Sequence, residues 1–141
     1  MVRRLSVLVL IVLAGLSARA AAEVPFPWLD DYLKIQTALS LDKTEGVRAS
    51  ATAIASYART LGAPGAATVK AATTLAAAAD LKTARAAFGD LSDAVIAMAG
   101  TGNAGVKRAY CPMVKKYWLQ KGEKIENPYY GSQMYRCGEF K

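Results

Sequence analysis

The feature that most constrains this chain is a set of apolar residues recurring every three or four positions between Leu29 and Met98, cut by short breaks. Val47, Ala51, Ile54, Ala58 and Leu61 lie on one face of a 3.6-residue repeat, so a helix is predicted to about Leu61. Before it, Leu29, Tyr32, Leu33, Gln36 and Leu39 share a face, and Asp30 and Asp31 suit the positive end of a helix dipole. That helix should stop near Leu41. Asp42-Lys43-Thr44-Glu45 then has the spacing of a capping box, with Asp42 taking an orphan backbone N–H of the next helix and Glu45 reaching back. Gly62-Ala63-Pro64-Gly65 ends the second helix, because glycine tolerates the left-handed conformation and proline opens a helix well. Ala66 to Ala79 is alanine-dominated, with Val69 and Leu75 its larger apolar groups, and its small residues permit close helix approach. After Asp80, the residues Leu81, Ala84, Phe88, Leu91, Val95 and Met98 define a fourth, strongly amphipathic helix in which Met98 is core filler. Four helices with short connections predict a mainly α fold, a four-helix up-and-down bundle.

Two ends of the sequence depart from that pattern. Arg3 and Arg4, the apolar run Leu5 to Leu16 and Ala18-Arg19-Ala20 form the three parts of a secretory signal peptide over residues 1–20, leaving 21–141 as one domain. The apolar run is shorter than the roughly 20 residues that span a bilayer, so no transmembrane segment is expected in the mature chain and the expected address is periplasmic. Val24-Pro25-Phe26-Pro27 reads as an extended lead-in. From Ala21 to Gly100 seven Lys and Arg face eight Asp and Glu, whereas Thr101 to Lys141 carries eight against three. The basic charge of the mature chain is therefore in its tail. An exported chain without a nucleic-acid fold signature is not expected to bind nucleic acid, and the tail reads as a solvated face or one offered to an acidic partner.

Gly100 to Gly105 is a glycine-rich hinge, and residues 106–141 form the C-terminal cap, expected to be irregular or a short hairpin closing at Gln120-Lys121-Gly122-Glu123. Both cysteines lie there. Cys111 and Met113, two apart with Pro112 between, would share a face in an extended strand, and Met134 and Cys137, three apart, would share one on a helical turn. Two thiolates and two thioethers from Cys111, Met113, Met134 and Cys137 would favour Cu(I) or Ag(I); zinc fits less well, since the chain has two Cys and no His. The alternative is a Cys111–Cys137 disulfide, the usual fate of two cysteines in a small exported protein, worth roughly 3–4 kcal/mol on a chain-entropy argument. The two compete for the same sulfurs. Tyr117, Trp118, Asn127, Tyr129 and Tyr130 are a candidate interaction surface, with packing and turn formation as the competing explanation.

Enzymatic chemistry finds little support. No histidine is present to act as a general base, and the chain has neither a nucleophile elbow, a phosphate loop, a C-x-x-C motif nor a c-type haem motif. Asp30 with Asp31, and Asp90 with Asp93, read as helix-terminal and helix-surface charge. A non-enzymatic protein is expected.

Tyr32-Leu33-Lys34-Ile35-Gln36, Ala86-Ala87-Phe88, Leu91-Ser92, Tyr110-Cys111-Pro112-Met113, Trp118-Leu119-Gln120, Ile125, Asn127-Pro128-Tyr129-Tyr130-Gly131, Met134 and Cys137-Gly138 together resemble a domain of unknown function. That domain occurs alone in exported bacterial proteins and fused to periplasmic adaptor subunits of copper- and silver-type heavy-metal efflux pumps. The resemblance spans nearly the whole mature chain and implies a periplasmic address and a heavy-metal efflux component as neighbour or partner. The chain departs from that pattern in its short spacer, Val114-Lys115-Lys116-Tyr117, and in lacking histidine. Any imidazole-dependent metal site of the family would be incomplete here. The expected protein is thus an exported accessory of heavy-metal homeostasis that binds Cu(I)/Ag(I) or docks to an efflux component, or else a disulfide-stapled interaction module without metal.

Overall fold

A computed structural model describes residues 27–99 and 105–141. The expected signal peptide, most of the lead-in and residues 100–104 of the expected hinge lie outside the described residues. Helix α1 spans Leu29–Ser40 and α2 spans Val47–Thr60. A 3-10 turn at Ala63–Gly65 leads into α3, Ala66–Ala76, and α4 runs Leu81–Ala99. The four helices stand where periodicity places them, and their buried faces include Tyr32, Ile35 and Leu39; Ala51, Ile54 and Ala58; Ala72 and Leu75; Phe88, Leu91 and Val95. Helix α2 packs most extensively on α3. A Cβ at Gly65 would overlap the Ala58 carbonyl, so the chain crosses from α2 to α3 with no room for a side chain at that position.

The architecture is nevertheless not the four-helix up-and-down bundle expected. Beyond Gly105 the chain forms β1, Lys107–Cys111, β2, Lys116–Gln120, and β3, Glu139–Phe140, an antiparallel sheet in the order β2-β1-β3. Ala109 faces Trp118 across β1–β2 and Phe140 across β1–β3. Strand β2 lies on both α4 and α1, two helices that touch each other little. Trp118, Leu119, Ala109 and Cys111 belong to the same core as Phe88 and Leu91, so the sheet closes the core instead of capping a finished bundle. This is an α+β domain. The physical reason is that the apolar faces of α1 and α4 are covered by the aromatic and aliphatic side chains of β2, a cover that no other helix among the described residues provides.

Two local expectations also fail. The hairpin closes at residues 112–115, not at 120–123: Pro112 follows the last residue of β1 and Lys115 takes a left-handed φ of 55° to bring the chain into β2. Asp42 is not the cap of α2, whose first residue follows a left-handed Gly46 with no side-chain cap. Asp42 has a φ of 59° and turns its carboxylate away, towards Arg85 and Ser132. A side-chain cap instead begins α4, where Asp80 Oδ1 accepts the Thr83 N–H at 2.8 Å and Thr83 Oγ1 accepts the Asp80 N–H at 3.3 Å.

Candidate functional site

Asn127 is fully buried, and each end of its carboxamide is used. Its Oδ1 accepts the N–H groups of Tyr129 at 2.8 Å and Tyr130 at 3.3 Å, which folds the Asn-Pro-Tyr-Tyr segment into a turn. Its Nδ2 donates to the Cys137 carbonyl at 2.7 Å and to Cys111 Sγ at 3.3 Å. One nitrogen therefore ties the two cysteine-bearing segments together. Cys111 is 0% exposed at the end of β1 and Cys137 is half-buried; both are free thiols in the structure.

Gln120 does the same for the preceding loop. Its Oε1 accepts from Trp118 Nε1 at 2.9 Å and from the Glu126 N–H at 3.0 Å, while Nε2 donates to the Lys124 carbonyl at 2.8 Å. Gln36, on α1, donates to the Glu126 carbonyl at 2.8 Å. Tyr32 Oη accepts the Leu119 N–H at 3.1 Å and lies 2.6 Å from Ser92 Oγ, joining α1, β2 and α4 at one oxygen. Burial pushes the ionisation of the Tyr32 phenol upward, and likewise that of Tyr129, so both stay neutral and serve as hydrogen-bonding groups. The rings of Tyr32, Phe88, Tyr129 and Trp118 follow one another at centroid separations of 5.2–5.9 Å.

A second knot lies at the edge of this core. Arg85 of α4 donates from Nε to the Pro128 carbonyl at 3.0 Å and from Nη2 to the Leu39 carbonyl at 2.8 Å and Asp42 Oδ1 at 2.5 Å. The Ser132 N–H also donates to the Asp42 carboxylate. Hydrogen bonds from Ser132, and then the Arg85 guanidinium, hold the Asp42 carboxyl below the usual carboxylate range. Gly131 passes so close, at a φ of 54°, that a Cβ would overlap both Asp42 and Arg85.

The residues expected to act together are thus divided. Asn127 bridges the Cys111 sulfur and the Cys137 carbonyl, both cysteines being free, and Met134 stands just before Cys137, whose N–H donates to the Met134 carbonyl at 2.9 Å. Met113 does not share a face with Cys111: it lies in the 112–115 turn beyond the end of the strand and is 58% exposed. Of the expected interaction residues, Trp118, Asn127 and Tyr129 are buried, Tyr130 is half-buried, and half-buried Tyr117 stacks against Tyr110 at 4.8 Å with the Arg108 guanidinium 4.9 Å from its ring. Tyr129 Oη donates to the Tyr117 carbonyl at 2.5 Å.

Part of the tail's basic charge is paired. Lys116 reaches Asp93 at 2.5 Å and Asp90 at 3.2 Å, and those bonds, Asp93 first, raise its pKa. Lys107 pairs with Glu123. Sequence reasoning missed Arg85 altogether and gave Gln120 and Ser92 no role beyond their place in a motif; a cationic residue amid the apolar stripe of α4 was the available signal for Arg85. Among the described residues no group of three or more His, Cys, Asp or Glu side chains is placed to hold a metal ion, and no helix is long and apolar enough to cross a membrane. No protein-family model, no curated protein and no solved structure matches this chain.

Proposed function

We propose that this chain is an exported, non-enzymatic docking module of heavy-metal homeostasis, which presents its β1–β2 hairpin tip to a periplasmic efflux component. One observation carries the reading. The Gln120 and Asn127 carboxamides and the Trp118 indole of the C-terminal motif are satisfied inside the domain, whereas Met113 and Val114, adjacent at the tip, stand 58% and 38% exposed. Rigidly mounted apolar side chains on a polar surface are what a partner site requires. The N-terminal signature and the likeness of the motif to a domain fused to efflux adaptor subunits support the address and the class of partner. Calorimetric titration of the chain into a purified periplasmic adaptor of a copper- or silver-type pump tests it. Binding is expected, with loss of at least about tenfold in affinity for Met113→Asp with Val114→Asp, since removing well-packed apolar contacts costs 1–2 kcal/mol or more. A Leu41→Asp control, at an exposed apolar residue outside the hairpin, should bind as the parent does. Equal binding by the tip variant overturns the proposal.

A second reading, Cu(I) or Ag(I) ligation, is favoured by the single amide nitrogen that spans Cys111 Sγ and the Cys137 carbonyl. Thiols from these two residues, with the Met134 thioether, would be the ligands, and Met113 would be dispensable. Competition with a chromogenic Cu(I) chelator under reductant should then show uptake that survives Met113→Ala and is lost in Cys137→Ser. No uptake after full reduction rules the reading out, and absence of titratable thiols before reduction would point to the disulfide instead.

A further inference from the structure

A groove of about 870 Å³ opens between α4 and the C-terminal loop that follows Asn127. Its floor is flat because α4 carries Gly89 there, over which the methylenes of Lys116 lie; a Cβ would meet them at 3.5 Å. Leu81, Ala86 and Val114 give it apolar walls. Three cations, Lys82, Arg85 and Lys116, line it against the single carboxylate of Asp90, which is itself paired with Lys116 at 3.2 Å.

Arg85 is the informative residue. Its Nε and Nη2 are committed to Pro128, Leu39 and Asp42, which fix the plane of the guanidinium, while Nη1 donates to no group among the described residues. The side chain is only 17% exposed, so this free edge is held in place at the groove and partly shielded from water. The Tyr130 hydroxyl and the exposed Gln133 carboxamide and Lys82 amine, also lining the groove, likewise make no side-chain hydrogen bond among the described residues. A volume in the range of small-molecule sites, apolar walls and a few convergent donors without partners are the marks of a ligand site. A planar cation with two free N–H groups selects a planar anion.

We propose that this groove binds an organic carboxylate with an apolar body, its carboxylate on Arg85 Nη1 and its body along Leu81, Ala86 and Val114. The proposal goes beyond hairpin docking and does not depend on it. The full chain is titrated with anilinonaphthalene sulfonate, an anionic fluorescent amphiphile, and the probe is displaced with decanoate or with decanol. Decanoate is expected to displace it at least about tenfold more effectively, because a charge-assisted hydrogen bond to a partly desolvated guanidinium is worth 1.5–3 kcal/mol. Ala86→Trp, an exposed change that fills the groove, should abolish binding, and Lys82→Glu should weaken decanoate by about threefold or more through charge reversal at short range. Arg85 is left unaltered because it also holds the fold. Equal displacement by decanol, no probe binding, or binding by Ala86→Trp equal to the parent would each overturn the proposal. Met113→Asp alone should leave decanoate binding intact, which separates this site from docking at the tip.

Discussion

Helices α2 and α3 and the segment after Gly105 join the same core by opposite means. The helical pair is joined through Ala51, Ala55, Ala58, Ala71 and Ala72, small apolar residues whose periodicity alone defines the buried face. The C-terminal segment buries Gln120 and Asn127 along with Trp118, and its loops are held by carboxamides acting in place of a backbone ladder. Periodic apolar packing tolerates small changes of shape. A buried carboxamide with every donor and acceptor used does not, because removing it leaves several backbone groups unpaired.

The largest test of that contrast sets Asn127→Leu against Leu75→Ala. Asn127→Leu should lose about 3–5 kcal/mol by urea unfolding, from orphaned groups at Tyr129, Tyr130 and Cys137. Leu75→Ala in α3 should lose about 2–4 kcal/mol, the ordinary cavity cost. If the polar change proves milder than the apolar one, the contrast fails. Gly131→Ala is expected to cost about 2–3 kcal/mol, since its φ is positive and its Cβ would displace the Asp42–Arg85 pair; hydrogen exchange should quicken first in residues 127–133.

Acid should act on the same knot. The Asp42 carboxyl titrates lower when folded than when unfolded, so its contribution is complete above the unfolded carboxylate pKa of about 3.9 and is lost as pH falls through the folded value. Asp42→Asn is therefore expected to be less stable at neutral pH and to show a shallower acid transition, read by circular dichroism. An unchanged acid slope would remove Asp42 from the account. Smaller again, Asp80→Ala should weaken the cap of α4, with fraying confined to its first turn by hydrogen exchange. Least of all, Lys115→Gly should raise the unfolding free energy by up to about 1 kcal/mol and shift the denaturation midpoint upward, because the hairpin turn holds Lys115 at a left-handed φ.

The four helices were legible because each is a local property: the stripe of α4 from Ala84 through Val95 buries the residues its spacing selects. The breaks at Gly62 and Pro64 were legible for the same reason. The candidate site was legible only in part. Cys111 and Cys137 stood out by residue type, and the Asn127 amide reaches the Cys111 sulfur and the Cys137 carbonyl, a link that reading Asn127 as a surface or turn residue did not anticipate. The grouping of Cys111 with Met113 failed because the strand ends between them, and a turn, not an alternation of faces, sets where Met113 points. The capping reading of Asp42 failed because a local pattern competed with a partner 43 residues away, and the distant guanidinium won.

The sequence by itself determined the helices, their buried faces and the concentration of sulfur, aromatic and carboxamide groups in the tail. Only the tertiary structure decided that β2 completes the core, and which partners Tyr32, Gln36 and Arg85 take at separations of 87, 90 and 43 residues. The reason is physical. Helical hydrogen bonds close within four residues and leave a periodic trace, whereas a buried side-chain donor finds its acceptor wherever packing brings one, and nothing in the spacing of residues records that encounter.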